Sequence, residues 1–178
     1  MNVRQRALEA KAAARILARQ SRARKDAALG AIADALLAER AGIEAANDED
    51  VRRARASGLS AALVERLVLS GERIAALARS VLHVAGLPDP VGSRGPMQRT
   101  SAGLSIGKQR LPLGLVAIIY ESRPNVTVDA AALTLKSGNA VLLRGGKEAA
   151  STNRVLVDIM RRALLDRDLP EAAVSFIP

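Results

Sequence analysis

The hydrophobic pattern changes period once, near residue 90, and that change divides the chain into a helical half and a strand-bearing half. Residues 4 to 19 repeat Ala, Leu and Ile at helical spacing, which predicts a helix with Leu8, Ala12, Ile16 and Leu17 on one apolar face. Ser21 is placed to cap a second helix, whose stripe is Leu29, Ile32, Ala33, Leu36 and Leu37. A shorter helix around Ile43 is expected to stop near Asn47, where Asn and Asp side chains compete for the backbone, and to restart through Val51 and Ala54. Gly58 supplies a left-handed stop. Helices from Ser60 to about Leu69 and from Gly71 to about Val84 follow, and Pro88 and Pro90 end the helical portion, residues 1–90.

Residues 91–113 change to alternation. Thr100 to Leu111 reads as a twisted β-ribbon with Leu104 and Ile106 on one face. Gly114 to Tyr120 is a continuous apolar run, as for a strand buried on both faces of a parallel sheet. Val126 to Leu135 reads as a helix ended by Gly138, Asn139 to Leu143 as a second buried strand, Glu148 to about Leu165 as a helix, and Ala173 to Ile177 as the start of a third strand. Over residues 114–178 this β-α-β-α-β order predicts an α/β fold with a doubly wound parallel sheet and right-handed crossovers. Ligands of such sheets collect at the carboxyl ends of the strands. Those ends are Glu121-Ser122-Arg123-Pro124-Asn125 and Arg144-Gly145-Gly146-Lys147.

Composition narrows the chemistry. With no cysteine in 178 residues there is no disulfide framework, no thiolate metal site and no thiol nucleophile. The N-terminus MNVRQRALEAK lacks the apolar core of a signal peptide, and no stretch approaches the ~18 apolar residues of a membrane span, so a cytoplasmic protein without a membrane partner is expected. A net charge of +9 suggests nucleic acid at first sight. The basic residues are mostly arginines interleaved with Glu and Asp along Ala-rich helices, which suits solvated helix faces. Tyr120 and Phe176 are the only aromatic residues, too few to stack bases, so no nucleic-acid partner is expected.

Generic motifs fail on inspection. No G-x-G-x-x-G stands at a strand-to-helix turn. Gly107-Lys108 and Gly146-Lys147 resemble P-loop endings, but Ala102 and Val141 occupy the first glycine position and no Ser or Thr follows either lysine. Ser105-Ile106-Gly107-Lys108 matches S-x-x-K in a ribbon rather than at a helix start. His83 is the only histidine, so no His pair exists to share a metal and none is expected.

The two strand ends remain. Arg144 and Lys147 offer cations for a ribose or a 2′-phosphate, and Gly145 and Gly146 allow close backbone approach. Asn125, where a helix begins, offers an amide to polarise a carbonyl, and Arg123 faces a carboxylate or phosphate. On spacing alone the simpler reading is that Pro124-Asn125 caps a helix and Gly145-Gly146 turns the chain.

The segment YESRPNVTVDAAALTLKSGNAVLLRGGKEA, Tyr120 to Ala149, resembles the gamma-glutamyl phosphate reductases of the aldehyde dehydrogenase superfamily. The similarity extends through Ala46-Asn47-Asp48-Glu49-Asp50-Val51, Gly58-Leu59-Ser60 and Pro88-Asp89-Pro90-Val91-Gly92. The resemblance implies part of an aldehyde dehydrogenase-like cofactor domain, covering less than half of the family's usual length, with the catalytic domain absent. It also implies NADPH-dependent reduction of L-glutamate 5-phosphate to the semialdehyde in proline biosynthesis, through a cysteine thiolate that this chain does not contain. By the same resemblance Asn125 stands for the oxyanion-hole asparagine, and Arg144 with Lys147 for contacts on the adenosine side of NADP. The alternative is a stand-alone or vestigial nucleotide-binding module without catalysis. On either reading the 178 residues alone are expected to be inactive, and the third strand's open edge favours a homo-oligomer.

Overall fold

The computed structural model describes residues 2–178. Five helices come first: α1 (Val3–Leu17), α2 (Arg22–Ala38), α3 (Arg40–Ala56), α4 (Ala61–Leu67) and α5 (Gly71–Gly86). Two-residue strands β1 (Gln98–Arg99) and β2 (Ser105–Ile106) lead to β3 (Leu115–Ile119), α6 (Pro124–Lys136), β4 (Ala140–Arg144), α7 (Ala150–Leu165) and β5 (Val174–Phe176). Single 3₁₀ turns, Lys147–Ala149 and Glu171–Ala173, precede α7 and β5.

The sheet is parallel in the order β3-β4-β5, with Ile119 opposite Arg144 and Leu143 opposite Phe176. Both crossovers step the same way, so the right-handed rule puts α6 and α7 on one face. The helix α1 packs against all three strands and takes the other face, while α2, α3 and α5 form an outer layer on α6 and α7. Covered on both sides, β4 is buried from Ala140 to Leu143.

Local chemistry explains the helix limits. Asn2, Ser21 and Ser70 accept from the backbone N–H groups of Gln5, Arg24 and Arg73, each three residues on, and so start α1, α2 and α5. Gly58 and Gly138 follow α3 and α6 at φ +78° and +74°, a region costly for other residues.

Several sequence expectations need correction. The buried face of α1 is Ala10, Ala13, Ala14 and Leu17, whereas Leu8, Ala12 and Ile16 are exposed. Small alanines let α1 lie close to the strands, an advantage that ranking by hydrophobicity misses. Leu37 is likewise exposed. No break occurs at Asn47, because its side chain bonds away from its own helix: Nδ2 donates to Leu67 O (2.9 Å) and Thr152 Oγ1 (3.2 Å), and Oδ1 accepts from Leu69 N (2.7 Å). The ribbon is two short pairs and an Arg94–Gln109 bridge, with Leu104 and Ile106 exposed. Most surprising is β3, an edge strand with Ile119 80% exposed, while β5, at the opposite edge as expected, has its side chains buried throughout. Exposed apolar surface therefore gathers along β3 and the ribbon, not at the third strand.

Buried polar groups tie the layers together. Asp50 of α3, 0% exposed, accepts from Thr152 N and Thr152 Oγ1 (both 2.7 Å) and from Ser151 N (3.3 Å), capping α7 from a distant helix. Lys25 of α2 is buried and pairs with Asp89 (2.7 Å) in the Pro88-Asp89-Pro90 turn. Lys136, at the end of α6, bonds Asp26 and Ala85 O.

Candidate functional site

Two loops meet at the carboxyl end of the sheet because β3 and β4 are paired in register. Tyr120 N still donates to Arg144 O (3.0 Å), after which the first loop turns through Arg123 N to Glu121 O (2.8 Å) and enters α6 with Pro124 at the first helical position. The second loop runs through Gly145 and Gly146 into the 3₁₀ turn. Ser122 Oγ donates to Glu148 Oε2 (2.6 Å) and clamps the two loops together. The Glu148 carboxyl is held below the usual range, first by the Ser122 hydrogen bond and then by a backbone N–H and the Lys147 charge, against an opposing effect of burial. An anion thus sits at the centre of the cleft.

The glycines are required by packing. A Cβ on Gly145 would stand 2.4 Å from Asn153 Nδ2 and 3.0 Å from the Tyr120 ring, and one on Gly146 would stand 2.5 Å from Ser122 Oγ. Behind them runs a buried chain in which Tyr120 OH meets Thr127 Oγ1 (2.6 Å), and Thr127 Oγ1 donates to Asn153 Oδ1 (2.7 Å). Burial raises the Tyr120 phenol above its ordinary value, with the Thr127 hydrogen bond acting the other way. Asn153 Nδ2, fully buried, has no hydrogen-bond partner among the described residues.

The expected site residues divide between neighbouring spaces. A cavity of about 330 Å³ is lined by Arg123, Gly146, Ser122, Glu121 and Glu148. Next to it lies one of about 380 Å³ between α5 and the start of α6, lined by Asn125, Asp129, Leu69 and Leu77. Arg66 of α4 borders both. Asn125 is exposed and donates to Asp129 Oδ2 (3.2 Å), so one amide N–H is engaged and the other is not. Arg144 and Lys147 are exposed, take part in no ion pair among the described residues, and line neither cavity.

Sequence reasoning overlooked Ser122, Glu148, Asp129 and Arg66. The first two stand at strand ends and were reachable by the carboxyl-end rule. Asp129 is four residues after Asn125 and so shares its helix face. Arg66 carries no local signal, because only the docking of α4 brings it to the cleft.

The arrangement defines a class. A probable aldehyde dehydrogenase from Listeria monocytogenes matches 98% of this chain with a TM-score of 0.73 at 19% identity, so the fold is aldehyde dehydrogenase-like. No protein-family model matches the chain. The gamma-glutamyl phosphate reductases of Sorangium cellulosum and Dehalococcoides mccartyi are 55% and 49% identical to it, over 95% and 99% of its residues. The crystal structure of the Thermotoga maritima gamma-glutamyl phosphate reductase covers 97% of it with a TM-score of 0.93 at 40% identity. Within the aldehyde dehydrogenase-like fold, then, the chain is similar over nearly all of its residues to gamma-glutamyl phosphate reductases. It spans about two fifths of their length, 41% and 42% of the two curated relatives.

Proposed function

We propose that this chain forms the cofactor-side portion of a reductase that converts L-glutamate 5-phosphate to L-glutamate 5-semialdehyde and phosphate, using NADPH, in proline biosynthesis. The observation that carries the reading is its relation to gamma-glutamyl phosphate reductases over 95% or more of its residues. The strand-end cleft is consistent with it. When bound, the nicotinamide nucleotide supplies the reducing equivalents.

The residues present fit such a group. Gly146 lets Ser122 and Glu148 close over the loop, and together the three line the smaller cavity beside the strand ends. Arg144 and Lys147 carry charges unspent on the described residues, suited to a 2′-phosphate, while Glu148 offers a carboxylate acceptor for hydroxyls. Asn125 would hold the acyl oxygen through its second amide N–H beside the first turn of α6. Arg123 would meet the leaving phosphate from the wall of the smaller cavity. A thiolate step is beyond these 178 residues, which contain no cysteine.

Calorimetric titration of NADPH and NADH into wild type and an Arg144→Ala, Lys147→Ala double variant tests the assignment. Each charge-assisted contact is worth about 1.5–3 kcal/mol, or roughly one to two decades, so removing both is expected to weaken NADPH by roughly two to four decades while NADH changes little. Equal losses for both nucleotides would withdraw the two residues from the 2′-phosphate.

A further inference from the structure

The larger of the two cavities holds two charges that the fold does not spend. Asp129 is half-buried, and among the described residues it accepts only from neutral donors, Ser80 Oγ (3.4 Å) and Asn125 Nδ2 (3.2 Å). Arg66, on the facing helix α4, makes no hydrogen bond or ion pair among the described residues. Arg73, also on the wall, is occupied by Glu65 and by the carbonyl oxygens of Glu65 and Val68. Asp129 and Arg66 do not pair with each other, so they face a space of about 380 Å³ as separate, opposite charges above an apolar floor of Leu69, Leu77 and Pro124.

A carboxylate whose hydrogen-bond donors are both neutral can still take a charge-assisted contact from a cationic ligand. An acidic and a basic side chain lining one space with an apolar floor suit a small ligand that carries both an ammonium and a carboxylate on a short carbon chain. We propose that this cavity receives the α-amino-acid end of the substrate, with Asp129 taking the α-ammonium and Arg66 the α-carboxylate. The acyl end then lies nearest Asn125, which borders the same space. The assignment rests on the functional reading above and adds to it a basis for selecting an α-amino acid over a simple acid or amine.

The test uses the full 178-residue chain and three probes: L-glutamate, glutarate, which lacks the ammonium, and 4-aminobutanoate, which lacks the α-carboxylate. Binding is followed by amide NMR shifts, with NADPH titrated into the same samples. Wild type is expected to bind L-glutamate roughly tenfold or more tighter than either analogue, with shifts at Leu69, Leu77 and Asp129. Asp129→Asn should abolish the preference over glutarate and keep that over 4-aminobutanoate. Arg66→Gln, at an exposed position that leaves the core intact, should do the reverse. Absence of L-glutamate binding, glutarate bound as tightly as L-glutamate, or shifts confined to other surfaces would each overturn the proposal. NADPH binding that persists in those cases leaves the reductase reading standing, whereas loss of nucleotide binding as well removes both.

Discussion

Replacing Asp50 by Ala probes the joint on which the cleft is mounted. Asp50 is fully buried and holds Thr152 N, Thr152 Oγ1 and Ser151 N at the start of α7, directly after the turn that carries Lys147 and Glu148. A lost helix cap costs about 1 kcal/mol, and a hydrogen bond to a charged acceptor about 1.5–3 kcal/mol. Thr152 would keep Asn47 as a donor to its hydroxyl oxygen but lose the acceptor for its own proton and for its amide. With those donors buried and unsatisfied, a net loss of about 3–5 kcal/mol is expected. For a chain of this length each kcal/mol moves Tm by roughly 2–4 °C, giving a drop of roughly 6–20 °C by calorimetry. Asp50→Asn keeps one acceptor and should lose less than half as much. Amide exchange at Ser151 to Asn153 should accelerate in the Ala variant before the rest of α7. An Ala variant melting within about a degree of wild type, with α7 equally protected, would refute the account of this joint.

Gly145→Ala places a methyl against Asn153 and Tyr120 and should destabilise by about 1–3 kcal/mol in urea unfolding, whereas an unchanged midpoint would mean the Tyr120–Thr127–Asn153 chain yields freely. The Asp89 carboxyl lies below its ordinary value: burial acts to raise it, and the Lys25 hydrogen bond, the Val91 N–H and the charges of Lys25 and Lys136 together outweigh that. Its contribution is therefore fully present above the ordinary aspartate value of 3.8 and is lost as pH falls through the lower folded-state value, so Asp89→Asn should flatten the acid limb of the stability profile. An acid limb of unchanged slope in that variant would count against the Lys25 pair. The 178 residues expressed alone should not reduce NADP with semialdehyde and phosphate above a heat-killed control, because no thiol is available. Sedimentation should show self-association that rises with concentration, driven by the exposed apolar surface of β3 and the ribbon; a concentration-independent monomer would argue otherwise.

Periodicity and punctuation made the secondary structure readable. Ser21, Gly58 and Gly138 acted through their own backbone chemistry, so their effect was local and visible. The β-α-β-α-β order followed from periodicity, and the rule about parallel sheets pointed to the carboxyl ends of β3 and β4, where Glu121, Ser122, Arg123 and Gly146 line a cavity while Arg144 and Lys147 do not. Asn47 misled because its preference for breaking helices is a local tendency, and three contacts from other elements outweigh it.

What the sequence determined by itself was therefore most helix and strand positions, the order of the parallel sheet, and the absence of a thiol. Each of these depends on neighbours a few residues away or on composition. Only the tertiary structure decided that of the two edge strands β3 is exposed and β5 has its side chains covered, since a continuous apolar run records hydrophobicity but not which neighbours supply the cover. It likewise decided that Asp50 caps a helix 102 residues on, that Ser122 clamps Glu148 across the cleft, and that Arg66 and Asp129 face one space. Such contacts are set by how the layers stack, and the amino-acid pattern of any one segment does not encode them.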